Sequence, residues 1–100
     1  MKVLAVGRPR DGIDARTAIA PHVREELGVL WRLYAAGTAR EMYSPGGPGA
    51  VLVLETDSLG AARESLGVLP LVAHEIIDFE LIELRPFAAF GSPFTGPEPT

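Results

Sequence analysis

The apolar positions of this chain fall into two patterns, short unbroken runs and stripes at helical spacing. "VLAV" (3–6) and "AVLVLET" (50–56) are unbroken and rich in β-branched residues, as expected of strands covered on both faces. "AREMYS" (39–44) and the stretch after "LPL" (69–71) mix polar with apolar side chains and read as edge strands. Between them, "APHVREELGVLWRLYAAG" (20–37) sets Val23, Leu27, Leu30 and Tyr34 on one helical stripe, which Trp31 widens. Pro21 suits a first turn and Gly37 the stop, with Thr17 as an alternative, earlier cap. A second helix is expected over "DSLGAARESLG" (57–67), with Leu59, Ala62 and Leu66 inward and Asp57 or Ser58 as cap. Pro70 marks the exit from that helix, and "GRPRDG" (7–12) and "PGGPG" (45–49) are loops.

Strand, helix, strand, twice over, is the split βαβ order. It predicts an α+β, ferredoxin-like βαββαβ domain over residues 1–86. Strands one and three lie at the centre of a four-stranded antiparallel sheet, followed by a Pro/Gly-rich tail over 87–100 that carries Phe87, Phe90 and Phe94. Both helices then lie on one side. The central strands are nevertheless apolar on both sides, so a face of roughly 300–400 Å² in projection is left bare. Covering it contributes on the order of 10 kcal/mol before association costs. A second copy is the simplest cover, making a homodimer, with the tail on the partner, folded back on its own sheet, or frayed.

Composition narrows the function classes. The net charge of −4 and a pI near 5.0 lack the basic footprint of a nucleic-acid binder. The first and third strands also carry no aromatic pair for stacking bases. There is no cysteine, hence no disulfide, thiolate or sulfur-ligated metal. His22 and His74 are too far apart in sequence to form a metal signature, so no metal site is expected. "PGGPG" lacks the Lys and the following helix of a phosphate loop. No apolar stretch approaches membrane-span length and the opening "MKVLAVGRPR" is short for a secretion signal, so a cytoplasmic protein is the expectation.

The helix leading into "AAGTAR" (35–40), the third strand with its "ETDS" exit (55–58), and "LPL" ahead of the last strand together resemble the dimeric α+β barrel proteins. Within them the chain is most similar to the muconolactone isomerase-like group. The resemblance covers roughly residues 20–85. It implies two sheets closing a barrel, a cavity in each subunit, often assembly into higher oligomers, and no cofactor. It further implies a small enzyme acting by proton transfer on an apolar, aromatic or lactone substrate, as an isomerase, cyclase or monooxygenase. Where the isomerases carry Trp and then His-Leu-Trp-Arg, this chain has Ala39 and then "REMYS", which puts Glu41 in the place of His and Tyr43 in that of the second Trp.

Proton transfer at carbon needs a base near neutrality and a donor to hold the enolate. His74, ahead of the last strand, is the candidate by residue type; a partly exposed loop histidine is the plainer reading. Glu41 and Tyr43 share one face of the second strand and form a possible base and donor, or else the polar dressing of an edge. Trp31 and Tyr34 are candidates for the wall of a pocket between helix and sheet, or for core. Arg40 is a candidate for holding a substrate carboxylate, or an exposed edge residue. His22, in the first helical turn, is expected at the surface. The rival to an enzyme is a non-catalytic ligand-binding or assembly module on the same barrel.

Overall fold

The computed structural model describes residues 1–88. Its elements are β1 (Lys2–Pro9), α1 (Ala15–Ile19), a 3₁₀ turn (Ala20–His22), α2 (Val23–Ala35), β2 (Ala39–Tyr43), β3 (Ala50–Glu55), α3 (Leu59–Gly67), α4 (Pro70–Ala73) and β4 (Ile77–Leu84). The sheet order is β2-β3-β1-β4, with every neighbouring pair antiparallel, so the two unbroken apolar runs are the central strands. This is the α+β, ferredoxin-like arrangement that the strand–helix order predicts.

Alternation along the strands gives the sheet two faces. Val3, Ala5, Leu52 and Leu54 point at the helices and are buried with Val29, Ala62, Leu66 and Leu69. The opposite face is built from cross-strand rows. Tyr43, Val51, Val6 and Glu80 form one row, and Glu41, Val53, Leu4 and Ile82 the next. Leu84, opposite Lys2, continues this face. No helix among the described residues covers it. In β2 the register slips between Ala39 and Glu41, so Arg40 sits in a bulge. Ala39 and Met42 thereby both face the helix side, opposite Leu54 and Leu52, a change from the simple alternation that pairs Arg40 with Met42.

Several boundaries move. β1 runs on to Pro9 because β4 continues to pair with it after β3 has ended, leaving the proline on a one-sided stretch. The first helical segment begins at Ala15, where Thr17 donates its hydroxyl to the Asp14 carboxylate at 2.8 Å, and Pro21 falls in the 3₁₀ turn that joins it to α2. Ser58 is the cap of α3, its Oγ accepting from Ala61 N at 3.0 Å. Pro70 opens the short α4 and is not an exit, since a missing N–H costs nothing at a first turn. That helix ends in a Schellman pattern: Ile76 N donates to Leu71 O, Glu75 N donates to Val72 O, and Glu75 takes φ 59°.

The core stripe of α2 is also rotated. Glu26 and Val29 are buried and Leu30 and Leu33 pack on the core, whereas Val23, Leu27, Trp31 and Tyr34 are exposed, Trp31 at 66%. Tail residues Phe90 and Phe94 lie outside the described residues, and Phe87 is exposed.

Candidate functional site

The rotation of α2 opens a cleft of about 450 Å³ between the helices and the sheet. Its walls are Ile19, Val23, Leu27 and Leu30 from the helical side and Ile77 and Phe79 from β4, and Gly47, Pro48 and Gly49 close one end. That loop sits tight against β1. Gly49 has φ 128°, and a Cβ there would overlap the carbonyl oxygen of Gly7, so only glycine fits.

Two charged residues line the cleft, Arg16 and Glu26. Glu26 is 8% exposed, an unusual place for a carboxylate. Its Oε1 accepts from the backbone N–H of Leu71 in α4 at 3.0 Å, and no second donor among the described residues reaches the carboxyl. Burial pushes its pKa up from the ordinary carboxylate value; the Leu71 amide and the nearby His22 pull the other way, and Glu25 adds to the rise. A largely apolar cleft lined by a buried carboxyl whose pKa is raised is a setting in which that group can take a proton from a bound carbon acid and return it.

The residues singled out from sequence are not gathered here. His74 is exposed at the end of α4, where its ring stacks on that of His22 at 4.3 Å between centroids, with 25° between the planes. Glu41 and Tyr43 do share a face of β2, and the Tyr43 hydroxyl donates to Glu41 Oε1 at 2.5 Å. The hydrogen bond and the carboxylate charge raise the Tyr43 pKa. That face, however, is the one turned away from the helices, because Glu41 and Tyr43 pair with Val53 and Val51. His74 and the Glu41–Tyr43 pair therefore lie on different sides of the sheet. Trp31 and Tyr34 are exposed, 5.7 Å apart between ring centroids, and border a separate shallow groove of about 370 Å³ with Leu27, Leu30 and Met42. Arg40 is held at the bulge, its Nε donating to Gly37 O. Among the described residues no group of three or more His, Asp or Glu side chains is placed to hold a metal ion, and no helix is long and apolar enough to cross a membrane.

Sequence reasoning missed Glu26 and underrated His22, which is half-buried. The available signal was spacing: Glu26 shares a helix face with Val29, Leu30 and Leu33, at three, four and seven residues on.

No family model matches the sequence, and no curated protein matches it. Solved structures do. A 5-chloro-2-hydroxyhydroquinone dehydrochlorinase (TftG) from Burkholderia phenoliruptrix, in complex with 2,5-dihydroxybenzoquinone, superposes with a TM-score of 0.66 at 14% identity, over 89% of this chain and 98% of its own. A muconolactone isomerase superposes with a TM-score of 0.61 at 22% identity, over 86% of this chain and 92% of its own. At these identities the likeness is one of fold. The chain has the fold of these two proteins, the dehydrochlorinase and the muconolactone isomerase.

Proposed function

We propose that this protein is an enzyme that moves a proton on a small, flat, largely apolar ring compound bound in the cleft between α2 and the sheet, with Glu26 as acid and base. The observation that carries the reading is a buried, half-satisfied carboxyl in a largely apolar cleft whose other charged residue is Arg16. Ionised, Glu26 takes a proton from a carbon beside a carbonyl, and the C–H electron pair is delocalised as an enolate. Protonated, it returns that proton to another carbon of the conjugated system, which is an isomerisation. The apolar walls exclude water and strengthen both steps. The names of the two structural neighbours, a lactone isomerase and a hydroquinone dehydrochlorinase, fit a small ring as substrate.

The test is solvent-deuterium uptake. Small lactones, enones and hydroquinones are screened for binding by ligand-observed NMR, and bound compounds are incubated in D₂O. Deuterium enters carbon with the native chain, and Glu26→Gln slows the exchange at least about 100-fold. A bound compound that exchanges equally fast with the Gln variant overturns the reading. Binding without any exchange favours the second reading, a binding or assembly module. The wide separation of His74 from Glu41 and Tyr43 and the exposed Trp31–Tyr34 groove speak for that alternative.

The same proposal includes a homodimer. Leu4, Val6, Val51, Val53, Ile82 and Leu84 lie on the uncovered sheet face, and a two-fold axis through it pairs like with like. Sedimentation at micromolar protein then gives twice 10.7 kDa.

A further inference from the structure

Two histidines outside the cleft lining meet beside Glu26. His22 ends the 3₁₀ turn and precedes Glu26 by four residues, one helical turn, so the two side chains share a face. His74 comes from the far part of the chain, at the end of α4, and lays its ring on that of His22. The same short helix donates the Leu71 amide to Glu26. One element therefore fixes both the carboxyl and its neighbouring imidazole, and the Schellman turn at Glu75 sets where His74 stands. His22 is half-buried and His74 exposed, so the three groups step from solvent to the cleft.

We propose that the stack is a positioning device for Glu26: His74 holds the His22 imidazole against the turn of α2 that carries the carboxyl, and the charge on His22 selects whether Glu26 meets its substrate as base or as acid. The inference rests on Glu26 being the proton-transfer group. The electrostatics agree in sign, because His22 favours the ionised carboxyl while burial and Glu25 oppose it. The other groups around Glu26 are Arg16 of α1 across the cleft and the Leu71 amide of α4. Gly47, Pro48, Gly49, Ala50, Ile77 and Phe79, from the loop, β3 and β4, bring no titratable group to the cleft. A histidine side chain changes charge near neutrality, and a change of that kind at His22 is felt by the carboxyl one turn on.

The experiment follows the Glu26 carboxyl carbon by ¹³C NMR across pH in the full chain, with no substrate. It compares the native protein with His22→Gln, His22→Asn and His74→Gln, each checked for native folding by its amide spectrum. In the native chain the Glu26 curve is broadened, with a second inflection where His22 titrates. His22→Gln or His22→Asn leaves one inflection, displaced to higher pH by loss of the positive charge, and His74→Gln weakens the coupling. A raised Glu26 midpoint that neither His22 variant moves overturns the positioning role alone. A native Glu26 that titrates like a solvent glutamate overturns the catalytic reading beneath it.

Discussion

Replacing Glu26 by Gln keeps an oxygen for the Leu71 amide and almost the same volume, but removes the titration. Below the ordinary carboxylate range the native side chain is neutral, and the two proteins differ in stability by less than about 0.5 kcal/mol, because both offer Leu71 a neutral acceptor. The native pKa is raised, so the folded state holds this proton more tightly than the unfolded chain does. Stability from that proton is complete below the unfolded value and is lost as pH rises through the folded one. Within that window the native chain loses up to about 1.4 kcal/mol per pH unit relative to Gln, the limit for one proton. For a domain of this size each kcal/mol is about 4–8 °C in Tm. The assay is urea unfolding of both chains at fixed protein concentration, since association also shifts the midpoint, from about pH 4 to pH 8. Stability curves that stay parallel over the whole range refute the claim that burial dominates at Glu26, and with it the acid–base assignment.

If the proposed homodimer forms through the uncovered sheet face, Ile82→Lys, which puts a charge there at an exposed edge position, halves the sedimenting mass while changing monomer stability by about 0.5 kcal/mol or less. An unchanged dimer excludes this face as the contact. Ser58→Ala removes the oxygen that accepts from Ala61 N and lowers stability by about 1 kcal/mol, read by thermal unfolding. Gly49→Ala forces a Cβ into the Gly7 carbonyl at a backbone angle that side chains rarely adopt; it lowers stability by more than about 2 kcal/mol and displaces the loop over the cleft, seen as amide shifts at residues 46, 47 and 49.

The fold was legible because its signals are local and agree with one another. Two unbroken β-branched runs became the central strands, the mixed runs became the edges, and Ser58 capped its helix. The site was not, for reasons of side-chain geometry that spacing does not carry. The α2 pattern allows two overlapping stripes, and packing chose the one holding Glu26 over the one holding Leu27 and Tyr34. The bulge at Arg40 resets the faces of β2. The meeting of His22 with His74 depends on α4, a four-residue helix that the reading of Pro70 as an exit overlooked.

The loop at residues 47–49 has a consequence for how this cleft can change. Two of its three residues have no side chain, and its seat on β1 is backbone against backbone at Gly7 and Gly49. That end of the cleft therefore offers almost no vocabulary for variation. New ligand preferences, whether reached by selection or by an engineer, have to be written on the opposite wall, at Ile19, Val23 and Leu27, where the side chains are large and partly free to turn.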